Sequence, residues 1–134
     1  MTMRVLALDH GTVRIGAAIC DPTGTLCTPL PVIDPPEPDA VAALVREREV
    51  ERVVVGLPVH LSGEEGSQAA LARAFAEELE GLLEVPVDTY DERLTSRMAD
   101  ADRRAGAGAP RDSLAAAHLL EAYLTSLARK EEGS

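Results

Sequence analysis

Apolar residues in the first quarter of the chain form three short runs, at residues 4–8, 14–20 and 25–33. Runs of this length between polar turns are typical of buried β-strands. The second and third runs flank the sequence Asp-Pro-Thr-Gly, in which proline presets one backbone dihedral and glycine permits positive φ. A tight turn at this point places Cys20 opposite Cys27. We therefore predict that the chain opens with three antiparallel strands.

The rest of the chain alternates between helical and strand-like patterns. Further strands are predicted at residues 52–55 and 85–90, and helices at about residues 39–48, 62–83, 95–104 and 112–129. Asp39 is the predicted cap of the first helix, and the sequence Ser-Gly-Glu-Glu at residues 62–65 fits a capping box for the second. The inner face of that second helix is predicted to consist of Leu71, Phe75, Leu79 and Leu82.

This pattern predicts an α/β fold with a mixed five-stranded sheet and helices on both faces, in the order β-β-β-α-β-α-β-α-α. A length of 134 residues suffices for one hydrophobic core. We expect a single domain over residues 1–134, with the last few residues disordered. No apolar stretch reaches the roughly 20 residues of a membrane helix, and no signal peptide is recognisable, so a cytoplasmic protein is expected. The two cysteines would then be reduced, although their pairing stays open.

The composition limits how the protein could bind nucleic acid. Two Tyr, one Phe and no Trp leave little for an aromatic platform on which bases stack. The formal net charge of −10 argues against extensive phosphate contact. However, a metal-dependent nuclease must carry carboxylates at its centre, and bound metal offsets part of their charge.

Three acidic residues stand at the ends of predicted elements. Asp9 ends the first strand, Glu92 follows the fifth strand, and Asp112 begins the last helix. Hydrolysis of a phosphodiester with two metals needs oxygen ligands that clamp ions ~3.5–4 Å apart. From the residues alone, other roles stay open: Asp9 could belong to a turn, Glu92 to a surface ion pair and Asp112 to a helix cap.

Four segments, in order, resemble the YqgF/RuvX family of pre-16S ribosomal RNA nucleases, which are also described as Holliday junction resolvases. They are residues 9–16 (DHGTVRIG), residues 55–58 with 62–66, residues 91–95 (DERLT), and Asp112 with the Ala-rich helix after it. The similarity extends from Arg4 to about Leu127. Its combination of four motifs in one order is more specific than any single motif.

The resemblance implies an RNase H-like fold related to the RuvC resolvases. It also implies a nuclease that uses Mg²⁺ or Mn²⁺ and processes the 5′ end of pre-16S rRNA. Catalytic and metal-binding roles are carried onto Asp9, Glu92 and Asp112. The chain departs from the family at His10, where Tyr or Phe is usual, and in the Gly/Ala-rich segment before the last acid, where lysine is usual.

Substrate binding is predicted for residues that adjoin these motifs. They are His10, Gly11, Thr12, Arg14, Arg93, Arg97 and Arg111. Arginine suits this role because its guanidinium group contacts phosphate through two parallel hydrogen bonds. Salt bridges to nearby acids are the alternative role of the arginines, and aromatic-like packing is the alternative role of His10.

Three other functions compete with rRNA processing. A junction resolvase cuts two strands symmetrically, which favours a two-fold dimer. A catalytically weak ribosome-assembly factor would fit the low basic content. An actin-like ATPase shares the Asp-x-Gly-Thr turn but needs a second such domain. The expected partners are an rRNA precursor, more than branched DNA, and the ribosomal particle, with no membrane; the protein is expected to be a monomer or a homodimer.

Overall fold

The computed structural model describes residues 3–58, 66–92 and 111–132, and at residues 111, 112, 131 and 132 it describes the backbone alone. The strands are β1 (Val5–His10), β2 (Ile15–Cys20), β3 (Cys27–Ile33), β4 (Arg52–Leu57) and β5 (Val87–Asp91). The helices within these ranges are α1 (Pro38–Glu47), α2 (Ser67–Leu82) and α3 (Arg111–Glu132). The predicted helix at 95–104, the capping box at 62–65 and the last two residues lie outside the described residues.

The five strands form one mixed sheet in the order β3-β2-β1-β4-β5. β2 pairs antiparallel with both β1 and β3, and Cys20 lies opposite Cys27 as the turn sequence predicts. β4 pairs parallel with β1 and with β5. Because β1, β4 and β5 run in the same direction, their carboxyl ends lie at one edge of the sheet.

Helices cover both faces of the sheet, which confirms the predicted layers. Side chains alternate along each strand, so Leu6 and Leu8 of β1 face the helices α1 and α2, whereas Val5 and Ala7 face α3. Strands that are buried on both faces read as continuous apolar runs, which is why β1 and β4 are recognisable in the sequence. Among the helices of the described ranges, none combines the length and apolar character needed to cross a bilayer.

The start of α1 corrects one prediction. Helix α1 begins at Pro38 with Glu37 as its N-cap, so Asp39 lies inside the first turn and is not the cap. Proline suits the first helical position because its fixed φ already matches the helix and its missing N–H would have no intrahelical partner. Asp39 still contributes there, since a carboxylate in the first turn interacts favourably with the helix dipole.

The inner face of α2 corrects a second prediction. Leu71 and Leu82 are 47% and 46% exposed, whereas Phe75 and Leu79 are buried as predicted. The rest of the buried face consists of alanines, namely Ala69, Ala72 and Ala76. Small side chains let the helix lie close to the sheet, and a stripe drawn only through the large residues misses that face. The helix also begins later than predicted, at Ser67 after the N-cap Gly66.

A polar cluster joins α3 to the start of the parallel strands. Arg52 of β4 forms an ion pair with Asp88 of β5, with 2.9 Å between guanidinium nitrogen and carboxylate oxygen. The Tyr123 hydroxyl of α3 donates a hydrogen bond to the same carboxylate oxygen at 2.5 Å and accepts one from Arg52 at 3.2 Å. This cluster fixes the C-terminal half of α3 across β4 and β5.

Candidate active site

Two of the three predicted carboxylates meet at the carboxyl edge of the sheet. Asp9 is the penultimate residue of β1, and Glu92 directly follows β5. β4 lies between these two strands. The Glu92 side chain nevertheless forms a hydrogen bond with the Asp9 carboxyl group. The sequence motifs therefore converge in space at this pair.

A glycine in β4 makes this contact possible. Gly56 pairs with Tyr90 of β5 near the end of both strands. A Cβ atom built on Gly56 would lie 2.5 Å from Glu92 Oε1 and 2.9 Å from its Cγ. Real Cβ atoms do not approach other atoms so closely, so a side chain at position 56 would force the Glu92 side chain away from its present position over β4.

Burial and the proximity of Asp9 change the protonation of Glu92. Burial, the hydrogen bond with Asp9 and then the charges of Asp9 and Asp91 raise the pKa of Glu92 to about 9. Two carboxylates this close repel each other unless one holds a proton or a cation lies between them. Oxygen ligands are those that Mg²⁺ and Mn²⁺ prefer, so the chemistry of the pair fits a divalent ion.

For the third predicted carboxylate, Asp112, the structure describes the position of the backbone only. Asp112 lies in the first turn of α3, and its side chain is outside the described part of the chain. Among residues with described side chains, no group of three or more His, Cys, Asp and Glu side chains converges. The neighbouring Ser113 contacts the amide of Ala17, and Gly16 is the partner of Asp9 across β1 and β2. The start of α3 thus lies one residue along β2 from the partner of Asp9.

The hairpin between β1 and β2 forms an open cleft beside the carboxylate pair. It has a volume of about 440 Å³ and is lined by Asp9, His10, Gly11, Thr12, Val13 and Arg14. The Gly11 N–H donates to the Arg14 carbonyl oxygen at 3.0 Å, and a Cβ atom on Gly11 would lie 2.6 Å from that oxygen. Glycine is therefore required for the turn that carries Thr12 and Arg14, which are both exposed.

His10 packs toward the core from the wall of this cleft. Its ring lies against Phe75 of α2, with 4.7 Å between ring centroids. The Nδ1 atom is buried and has no hydrogen-bond partner among the described residues. Burial lowers the pKa of His10, and the nearby Asp9 charge opposes this only partly. These contacts favour the aromatic-like packing role over substrate contact.

Gly56 and Ser113 contribute to the site, but neither was assigned a role there from the sequence. An isolated glycine inside a strand pattern often marks a close approach by another group, and this signal could have identified Gly56. Ser113 offered a weaker signal, a small polar residue at the start of an apolar helix. Of the predicted phosphate contacts, Arg93 and Arg97 lie outside the described residues, and Arg111 is described by its backbone alone.

Sequence comparison identifies the family. The profile of the RuvX family, described as Holliday junction resolvase, matches residues 3–126. A protein of Chloroflexus aurantiacus named "Putative pre-16S rRNA nuclease" is 42% identical over 130 residues, which cover 90% of this chain and 85% of the relative. A protein of the same name from Syntrophus aciditrophicus is 35% identical over 139 residues, covering 96% of this chain and 93% of the relative.

Structural comparison agrees with the sequence. RuvC of T. thermophilus, solved in complex with a Holliday junction substrate, superposes with a TM-score of 0.67 and 17% identity, covering 94% of this chain and 96% of that one. The fowlpox virus Holliday junction resolvase superposes with a TM-score of 0.57 and 12% identity, covering 92% and 99%. At these identities the likeness shows a shared fold, which is the RNase H-like fold that the sequence motifs imply. The match of the family profile over residues 3–126 shows that this chain belongs to the RuvX family.

Proposed function

We propose that this protein is a metal-dependent nuclease that hydrolyses phosphodiester bonds at the 5′ end of pre-16S rRNA. The supporting observation is the Asp9–Glu92 pair, hydrogen-bonded over Gly56 at the carboxyl edge of the sheet. Membership of the RuvX family and relatives named as pre-16S rRNA nucleases support the same reaction and substrate. A single nuclease domain in the cytoplasm, acting on RNA of the ribosomal particle, agrees with this role.

The carboxylate pair is the proposed metal-binding site. Asp9 and Glu92 would hold Mg²⁺ or Mn²⁺, with Asp112 as the third ligand. When bound, such ions activate water and stabilise the charge on the leaving oxygen. A bound cation would favour the ionised form of Glu92, whose pKa is raised by burial first and then by the hydrogen bond and charge of Asp9.

The β1–β2 hairpin is the proposed substrate contact closest to the carboxylates. Arg14 stands exposed at the end of this turn, where a guanidinium group can contact a phosphate. Gly11 and Thr12 form the cleft wall next to Asp9. Arg93, Arg97 and Arg111 adjoin the other two acidic motifs in the sequence and are proposed as further phosphate contacts. His10 is a weaker candidate because its ring packs on Phe75.

Cleavage of a 16S precursor RNA with its 5′ extension tests this function. The full-length protein should release the extension in the presence of Mg²⁺ or Mn²⁺ and not in the presence of a chelator. Asp9→Asn should abolish release. Asp39→Asn is the matched control, because it removes the charge of an exposed acid in α1 that lies beside Gly81 and Leu82, at the C-terminal end of α2. Cleavage that persists unchanged in Asp9→Asn would show that the site is assigned wrongly.

Junction resolution is the second candidate function. It is favoured by the family description and by the fold shared with RuvC. A resolvase needs two active sites related by two-fold symmetry, so this activity requires a dimer. A four-way DNA junction assayed beside the precursor RNA, together with the mass of the protein in solution, separates the two substrates.

A further inference from the structure

Ser113 is a buried polar residue near the start of α3. Its side chain has no exposed surface. The hydroxyl group donates a hydrogen bond to the Leu30 carbonyl oxygen of β3 at 2.5 Å and accepts one from the Ala17 amide of β2 at 3.4 Å. One side chain of α3 is therefore bonded to two strands of the sheet.

These bonds fall at an irregularity in the sheet. Ile15 pairs with Ile33 and Ala17 pairs with Leu30, so two residues of β3 lie opposite the single Gly16 of β2. A bulge of this kind disrupts the hydrogen-bond ladder locally. The Ser113 hydroxyl links an amide and a carbonyl group beside this irregularity. On its other side, Gly16 pairs with Asp9.

Apolar packing does not fix the start of α3 in the same way. Ala116, Leu119 and Leu120 bury the helix against Val5 and Ala7 of the sheet, but apolar burial is non-directional. Hydrogen bonds depend on distance and angle, and a hydroxyl group with one donor and one acceptor partner sets both the position and the rotation of the first turn. Residue 112 is the adjacent position in that turn.

We propose that Ser113 is a positioning residue of the metal site. Its hydroxyl group holds the first turn of α3 on the β2–β3 bulge, and this places Asp112 relative to the Asp9–Glu92 pair. The proposal rests on the nuclease function given above, in which Asp112 is the third ligand. It assigns to Ser113 an action through Asp112 and no contact with substrate or metal.

The C-terminal half of the same helix offers a matched control. The Tyr123 hydroxyl also joins α3 to two strands, through Asp88 of β5 and Arg52 of β4. Tyr123→Phe removes one buried hydroxyl anchor from α3, as Ser113→Ala does, but at the end of the sheet away from Asp9. A general loosening of the helix should therefore affect both variants equally.

The experiment measures Mn²⁺ binding by the full-length proteins, from the electron paramagnetic resonance signal of free Mn²⁺, and the Mn²⁺ concentration for half-maximal cleavage. Loss of a group that orients a metal ligand typically weakens metal affinity by about 10- to 100-fold. We expect at least about a tenfold weakening in Ser113→Ala and no comparable change in Tyr123→Phe, with cleavage by Ser113→Ala recovering at high Mn²⁺. Ser113→Cys, which keeps a weak donor of similar size, should give an intermediate affinity and serves if Ser113→Ala does not fold.

If Ser113→Ala and Tyr123→Phe weaken Mn²⁺ binding equally, the proposal is overturned, because Ser113 would then only stabilise the helix. If folded Ser113→Ala binds Mn²⁺ as tightly as the wild-type protein does, the proposal is also overturned. The nuclease function would still stand in that case, provided that the wild-type protein cleaves the RNA. Failure of the proposed function has a different signature: wild-type protein that neither binds Mn²⁺ nor cleaves, which overturns both.

Discussion

Glu92 occupies the space in which a side chain on Gly56 would begin. The Glu92 carboxylate oxygen lies 2.5 Å from the Cβ position of Gly56, and its Cδ lies 3.1 Å from the same point. The carboxylate reaches Asp9 because the strand beneath it carries no side chain at this position. The proposed chemistry therefore depends on this glycine as well as on the two acids.

Replacing Gly56 by alanine should therefore impair cleavage while leaving the fold intact. The added methyl group displaces the Glu92 carboxylate from Asp9. A displacement of about 1 Å in a catalytic group can cost on the order of 100-fold in rate, and we expect a loss of that size. Single-turnover cleavage of the precursor RNA at saturating Mn²⁺ measures it.

Gly81→Ala is the control for this variant. Gly81 lies in α2, and no heavy atom stands within 4 Å of its Cβ position. Alanine there should raise the free energy of unfolding by up to about 1 kcal/mol, since glycine is a poor helix former, and should not change cleavage. Wild-type cleavage by Gly56→Ala would contradict the proposed arrangement.

The raised pKa of Glu92 predicts how stability depends on pH in metal-free protein. The group titrates at about 9 when folded and near 4.5 when unfolded, so the folded state binds more protons between these values. The free energy of unfolding contributed by Glu92 therefore falls as pH rises from about 5 to 9. In urea unfolding, the free energy of unfolding of Glu92→Gln should increase relative to that of the wild type as pH rises across this interval. A difference that stays constant with pH would exclude the raised pKa.

His10→Phe tests whether the histidine packs or binds substrate. The substitution keeps a ring against Phe75 and removes a buried nitrogen that has no partner among the described residues. We expect it to increase the free energy of unfolding by about 1 kcal/mol, because a buried polar atom without a hydrogen bond is costly. Cleavage should be retained. If the variant is stable but no longer cleaves, His10 has a role at the substrate.

The orientation of α2 can be tested with two leucines. Leu71 is largely exposed, so Leu71→Gln should change the free energy of unfolding by no more than about 0.5 kcal/mol. Leu79 is fully buried, and Leu79→Ala should cost about 2–5 kcal/mol. Thermal or urea unfolding distinguishes these outcomes. A large decrease in the free energy of unfolding for Leu71→Gln would show that Leu71 is buried, as the leucine spacing predicted.

The strands were predictable because burial on both faces of the sheet requires continuous apolar runs in the sequence. β1 and β4 are covered on both faces, so each appears as an unbroken apolar run, and the pairing of Cys20 with Cys27 follows from a short turn. The face of α2 was not predictable in the same way. Its buried alanines carry little hydrophobic signal, and only the close approach of helix and sheet distinguishes them from surface alanines.

The candidate site was predictable as a set of residues but not as an arrangement. Family resemblance named Asp9 and Glu92, yet nothing in their spacing indicates that Glu92 crosses β4 to reach Asp9. That contact depends on the order of parallel strands, which bring together residues far apart in the chain. The anchors Ser113 and Tyr123 depend in the same way on where α3 crosses the sheet.

The late position of α3 in the chain has a consequence for synthesis on the ribosome. All five strands leave the exit tunnel before the helix that covers Val5, Ala7 and Val54 is complete. Until α3 docks, that face of the sheet is open to water, and the proposed third ligand has not taken its place. The proposed metal site is therefore incomplete in a folding intermediate that has formed the sheet but not yet docked α3.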